Sequence, residues 1–257
     1  MDKPSSDPDK TLDVGTAADL ERYPHPFVTT DVALLTVEGR ALKALLLKRT
    51  DPPFEGKWAL PGGFMNIDEA PAAAAARILE SKVGLRGVFV EQLATFADPD
   101  RDPRGRVLTI AYLALVAPEQ LNEIALDRSD RVLADLEVPW SGETGGPVDA
   151  LRSSEQTVTG RERLPLGFDH AEIIGTAVKR IRGKLDYTPI GFQLLPERFT
   201  LRRLQDVHET LLGQELNKDS FRRRMLASGE LEHTGEHERD VDHRPAELYR
   251  FVRRSAL

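Results

Sequence analysis

The alternation of apolar and polar residues changes period several times along the chain, and each change marks an element. From Phe27 it is that of a strand: Val28, Val32, Leu34, Leu35 and Val37 lead to Glu38-Gly39-Arg40, and 41–47 returns as a second apolar run. Two such runs around a glycine-containing turn predict a β-hairpin. Residues 70–82 are alanine-rich and stop before Gly84, which predicts a helix, with the acidic pair Asp68-Glu69 suited to its first turn. Strands are predicted over 88–96 and 107–116, whereas the pattern weakens over 126–163, which reads as loops or a short hairpin. A strong helix then opens: Asp169 is placed to cap it, Ile173, Ile174, Ala177, Val178 and Ile181 form its apolar side, and Gly183 marks its end. His170, just inside that cap, reads as a packing or capping residue rather than a catalytic one.

Beyond Leu185 the pattern changes again, and Asp186 to Gly191 is the expected boundary. Thr200 precedes a helix with Leu201, Leu204, Val207 and Leu211 on one side and Gly213 after it. Asn217 then caps a second helix, from Lys218 to Ala227. Two short helices joined this closely predict a helix-turn-helix, and the runs 230–233 and 248–251 predict the two strands of a wing. Phe221 and Met225 must anchor the second helix. At about 100° per residue, Asp219 and Arg223 then point away from the core, Ser220 and Arg222 flank them, and Arg224 lies nearer the core edge. The expected organisation is a flexible tail over 1–24, an α/β domain over 25–185, and a winged helix-turn-helix over 186–257.

Composition narrows the possibilities. Hydrophobic residues at 40% and charged residues at 30% are globular values. No run of 18 apolar residues exists and residues 1–22 show no apolar leader, so a cytoplasmic protein away from membranes is expected. With no cysteine, disulfides and thiolate zinc sites are excluded. The net charge of −7 argues against nucleic acid as a partner unless basic residues gather on one face. Arg222, Arg223 and the wing residue Arg244 fit such a face, with Arg250, Arg253 and Arg254 as candidate phosphate contacts. His233, His237 and His243 also lie close in sequence, but in acidic, turn-like surroundings that point away from a metal site.

One stretch carries candidate chemistry. Gly63, five residues, Glu69, seven residues, Arg77, six residues and then Gly84-Leu85 resembles the Nudix box. In Nudix hydrolases the glutamates after the arginine bind the divalent cations that assist pyrophosphate cleavage. The corresponding positions here are Ile78, Ser81 and Lys82, while Glu80 falls on an unspecified position. Magnesium requires hard oxygen ligands, so this is expected to be a Nudix fold without Nudix chemistry: not an enzyme, and with no metal or cofactor. The loop over 98–106, with Arg101, Arg104 and Arg106, reads either as a solvated turn or as a phosphate-binding loop.

That loop, the box and the segment from Phe168 to Leu226, in this order, resemble the Nudix-related transcriptional regulators of the NrtR type, over nearly the whole chain. The resemblance implies a Nudix-like α/β/α sandwich with a mixed sheet, followed by a C-terminal winged helix-turn-helix. It implies a homodimeric repressor that binds a palindromic operator and senses ADP-ribose or a related sugar phosphate, controlling NAD metabolism. The candidate effector residues are Arg49, Gly62, Gly63, Arg77, Lys82, Arg101, Arg104 and Arg106, with Lys82 neutralising phosphate where the enzymes place a metal. The candidate residues for double-stranded DNA are Asn217, Lys218, Asp219, Ser220, Arg222, Arg223 and Arg244. Three rival readings stand beside it: an active ADP-ribose pyrophosphatase using Asp68, Glu69 and carboxylates outside the box; a sugar-responsive regulator of pentose metabolism; and a winged domain used for protein contacts only.

Overall fold

The computed structural model describes residues 21, 23–121, 129–152, 162–185, 188–239 and 244–252. The tail expected over 1–24 lies almost wholly outside these residues, as do Asp186, Tyr187, His243, Arg253 and Arg254.

The predicted hairpin forms from β1 (Phe27–Glu38) and β2 (Ala41–Lys48). Its turn residues Gly39 and Arg40 have φ of 56° and 62°, the left-handed pair that matches the twist of a two-residue hairpin. Pairing runs from Glu38↔Ala41 only as far as Leu35↔Ala44. Beyond that point the strands part, and the following segment fills the gap. There β3 (Trp58–Ala59) pairs with β2, and β4 (Gly62–Phe64) pairs with β1, placing Gly62 opposite Asp31. On the far side of β1, β6 (Val107–Leu115) runs parallel to it, and β5 (Val90–Phe96) closes that edge.

At the other edge the weakly patterned region, expected as loops or a short hairpin, forms a hairpin of β7 (Arg131–Glu137), also paired along β2, and β8 (Asp149–Arg152). Its signal was masked by Asp135, buried in mid-strand and facing the Lys43 ammonium at 3.5 Å. The sheet order is therefore β5-β6-β1-β2-β7-β8, mixed parallel and antiparallel.

Both faces of the sheet are covered, which is why β1 is apolar without alternation: Val32, Ala33, Leu34 and Leu35 are all fully buried. Val32, Leu34, Leu45 and Tyr112 pack beneath α1 (Pro71–Ile78). Ala33, Leu35, Leu46 and Leu113 pack against α3 (His170–Lys184), and a short α2 (Pro118–Leu121) follows β6. Helix α1 starts at Pro71, whose missing N–H suits a first position, so Asp68 and Glu69 precede the helix instead of occupying its first turn. It widens into a π turn (Leu79–Val83) that ends at a left-handed Gly84. Two expectations for α3 also change. The Asp169 side chain makes no capping bond, and Gly183 lies inside the helix, where an added Cβ would sit 2.8 Å from the Glu143 carboxylate. The helix runs through that glycine to Lys184, so Gly183 does not stop it.

The C-terminal part is a winged helix. Thr200 caps α4 (Leu201–Leu212) by accepting from the Arg203 N–H at 3.1 Å, and Asn217 caps α5 (Lys218–Ala227) by accepting from the Ser220 N–H at 3.0 Å. The wing strands β9 (Leu231–His237) and β10 (Glu247–Phe251) pair antiparallel. Phe199 adds a further bridge to buried Tyr249 through two backbone bonds of 2.8 and 3.0 Å. Phe221 and Met225 are buried, as their spacing required.

Two arginines join the winged helix to the sheet. Buried Arg182 of α3 donates to the Leu211 carbonyl at 2.7 Å and to the Trp140 and Gly142 carbonyls at 3.1 Å each. Arg40, at the hairpin tip, donates to Glu209 of α4 at 2.9 Å. The apolar core runs without interruption from the sheet through α3 into α4. No helix among the described residues is long and apolar enough to cross a membrane. Arg182→Met keeps the packed stem but leaves buried carbonyls unpaired, a loss of about 1–3 kcal/mol for each such group. Urea unfolding followed by circular dichroism should show a clearly lower midpoint, and an unchanged midpoint would show that Arg182 does not hold the junction.

Candidate functional site

A cleft of about 310 Å³ opens where β1 and β2 part. Its floor is electrostatic. Arg101, from the β5–β6 loop, makes a fork-to-fork pair with Asp169 at 2.7 and 2.8 Å, and lies 3.7 Å from Asp31 of β1. Its side chain is only 3% exposed, so this arginine is already engaged by the protein itself. The pairing also explains why Asp169 does not cap α3. Beside it, the His170 ring accepts from the Leu60 N–H through Nδ1 at 2.9 Å, and its Nε2 lies 3.7 Å from Asp31. Burial lowers the His170 pKa and keeps the ring neutral, against the pull of Asp31 and Asp169. At Gly62 an added Cβ would fall 1.8 Å from the Asp31 carboxylate, so only glycine lets β4 lie against it.

The rim carries the other cations. Arg104 pairs with Asp102 at 2.7 and 3.0 Å, and that bond holds the Asp102 carboxyl below the usual range. Arg49 donates only to backbone, to the Pro53 carbonyl at 2.7 Å and the Asp51 carbonyl at 3.0 Å. Its guanidinium lies 4.9 Å from the centre of the Phe168 ring. Phe168 itself has a φ of 54°, an unfavourable value for a bulky residue, held by edge contact with Phe54 at 4.8 Å. Lys82, exposed overall, turns its ammonium inward to donate to the Gly62 carbonyl. Burial lowers its pKa, Asp31 opposes the change, and Arg49 adds to it.

Arg49, Gly62, Gly63, Lys82, Arg101 and Arg104 therefore come together in one cleft. Arg77 and Arg106 do not line it. Arg77 is tied to Glu69 by two bonds of 2.7 Å, and Arg106 donates to the Ala97 carbonyl at 2.8 Å. Asp31, Phe168 and His170 were not anticipated as lining residues. The available signals were a carboxylate in an otherwise apolar strand and a histidine beside an aspartate at a helix start.

The residues present do not fit a resident divalent cation. Ile78 is buried in the α1 core, Glu80 turns away to pair with Arg86 at 2.6 Å, and both Glu69 oxygens are taken by Arg77. Among the described residues no three histidine, aspartate or glutamate side chains converge on one point. In the wing, His233 lies against the Tyr249 ring with centroids 4.4 Å apart.

On the winged helix, Lys218, Asp219, Ser220, Arg222 and Arg223 are exposed on α5 behind the Asn217 cap. Lys218, Arg222 and Arg244 also line a hollow between α5 and the wing. Arg224 stacks over Phe221 at 5.6 Å, at the core edge as expected, whereas Arg250 is engaged by Glu232 at 3.0 Å.

Comparison with known proteins agrees with this architecture. Residues 26–140 match the NUDIX domain and residues 191–251 match the NrtR DNA-binding winged helix domain. An ADPR-responsive transcriptional repressor of Acinetobacter baylyi is 34% identical over 232 residues, 90% of this chain and 84% of that protein. The crystal structure of Shewanella oneidensis NrtR complexed with a 27mer DNA has a TM-score of 0.70 at 33% identity, covering 87% of this chain and 93% of that one. A MutT/nudix family protein from Enterococcus faecalis has the same TM-score at 28% identity, covering 92% of this chain and 93% of that one. With this identity running through both the cleft-bearing sheet and the winged helix, the chain belongs to the NrtR family of Nudix-related transcriptional regulators.

Proposed function

We propose that this protein is an ADP-ribose-responsive transcriptional repressor with a catalytically inactive Nudix-like domain over 25–185 and a DNA-binding domain over 186–257. The observation that carries the reading is its extended identity with the Acinetobacter repressor, which spans cleft and winged helix together. The cleft adds physical support. Its rim is cationic, and Phe168 and Phe64 offer flat apolar faces beside those cations, a combination suited to a base joined to a diphosphate. Ile78, Ser81 and Lys82 leave no carboxylate set to activate water through a metal, so the ligand is held and not cleaved.

In this reading a homodimer places one α5 in each half of a palindromic operator, with Arg223 and Arg222 reading bases and Lys218 and Arg244 meeting phosphates. The effector signal reaches α5 through the hairpin. Arg49 closes β2 at the cleft end, and Arg40 at the tip grips Glu209, whose other oxygen accepts from the Leu216 N–H in the turn before α5 at 3.0 Å. The relation of this domain to NAD metabolism follows from the effector.

Titration of the protein and its own upstream DNA with ADP-ribose tests the reading. Operator affinity should shift while chromatography detects no AMP in the presence of magnesium. Steady release of AMP would establish the pyrophosphatase instead, and a shift produced only by pentose phosphates would move the effector to the sugars. Arg223→Ala should weaken operator binding by about 1–3 kcal/mol and relax base choice at one position. Gel-shift selection from a randomised operator pool reads both, and unchanged selectivity would displace Arg223 from the reading face. Arg40→Ala should leave ADP-ribose and operator binding intact when each is measured alone. It should remove much of the coupling between them, which for such switches is about 1–3 kcal/mol. A variant that responds to ADP-ribose as fully as the wild type would rule out this hairpin as the route.

A further inference from the structure

The cations around the cleft divide into two kinds. Arg77, Arg101 and Arg104 each hold a carboxylate, of Glu69, Asp169 and Asp102 respectively. Among the described residues Arg49 and Lys82 donate only to neutral backbone carbonyls, and both face the cleft. Among the described residues neither has a carboxylate within ion-pair distance, as is also true of Lys48 at the cleft edge, and Asp31 acts on both charges only from farther off. Lys82 stands on the box position where the hydrolases carry a metal-binding glutamate, in a π turn, a helix irregularity that clusters at functional sites. Its ammonium meets the Gly62 carbonyl on β4, and an added Cβ at the adjacent Gly63 would lie 4.0 Å from it, so the charge stands against the glycine pair.

On the reading of this cleft as the effector site, we infer that Lys82, with Arg49, takes the place of the divalent cation and binds the diphosphate of the effector directly, without metal. A single lysine carries half the charge of a magnesium ion, and Arg49 supplies the second unit. Both are fixed donors that bring no coordinated water, so the diphosphate is neutralised with no nucleophile delivered to it. Burial, with the nearby Arg49 and Arg77, lowers the Lys82 pKa against the pull of Asp31, and an arriving phosphate would favour the charged ammonium. The two arginine–carboxylate pairs on the floor and rim then shape the cleft without competing for the ligand.

Isothermal titration calorimetry on the full chain tests this, with inorganic pyrophosphate and ADP-ribose as separate probes, in EDTA and in magnesium. Binding should persist in EDTA. Lys82→Gln should weaken it by about ten- to one-hundred-fold, the range for loss of a charge-assisted bond, and Lys82→Arg should retain most of it. Unchanged operator binding and melting temperature would show that the variants are folded. If neither probe binds in EDTA, or if Lys82→Gln binds as the wild type does, the inference is overturned. If pyrophosphate binds in EDTA through Lys82 but ADP-ribose does not, the metal-free diphosphate site stands and the choice of ADP-ribose as effector falls.

Discussion

The Arg101–Asp169 pair is the interaction on which the cleft depends. It fastens the β5–β6 loop to the start of α3 and sets the guanidinium beside Asp31, and Gly62 is a glycine because Asp31 must then lie flat against β4. A buried ion pair of this kind is weak evidence for net stability, because desolvation offsets most of its attraction. What it gives is geometry. The fork fixes both partners, a neutral His170 packs alongside, and Asp31 and Asp169 share one arginine, which leaves Asp31 acting on Lys82 and Arg49 across the cleft.

The second constraint is the parting of β1 from β2. If the hairpin paired over its full length, β3 and β4 would have no place, and the wall carrying Gly62 and Gly63 would not exist. Because pairing stops at Leu35↔Ala44, the same two strands form a cleft at one end and a rigid turn at the other. Rigid elements with defined contacts at both ends are what energetic coupling requires, and here the contact at the tip is specific. Arg40 reaches a glutamate that is itself bonded to Gln205 and to the turn before α5. A change in strand position at Arg49 has a short physical path to the reading helix, and the Arg182 staple holds α3 against α4 throughout.

How much of this was legible in the sequence depended on whether the determining contacts were local. Thr200, Asn217 and the Phe221–Met225 spacing gave the winged helix correctly, because caps and helical periodicity act within a few residues. The hairpin turn and the Ala-rich helix were legible for the same reason. Asp169 looked like a cap and was drawn instead into a bond with a residue 68 positions away. Gly183 looked like a stop, but the helix continues through it to Lys184. Strand β7 was obscured by Asp135, whose burial makes sense only once Lys43 is seen opposite it. Six of the eight residues expected around the effector line the cleft, while Arg77 and Arg106 lie outside it because side-chain direction is decided by partners that sequence spacing does not name.

An enzyme and a sensor built on one fold make opposite demands on the same cleft. A hydrolase must bind the transition state better than the substrate, and a metal-held nucleophile aimed at phosphorus serves that end. A sensor gains nothing from the transition state. Its ligand shifts the equilibrium only by the difference in affinity between two conformations, and turnover would erase the signal. Exchanging carboxylates for Ile78, Ser81 and Lys82 fits the second demand at each position. Ile78 adds to the core under α1, Ser81 removes a charge, and Lys82 reverses one at the edge of the cleft. Glu69 and Arg77 stand as in the box, bonded to each other, and Arg77 also donates to the Phe64 carbonyl, so the two brace the loop that enters the helix. That scaffolding is needed whether or not chemistry follows, which accounts for the persistence of this part of the motif.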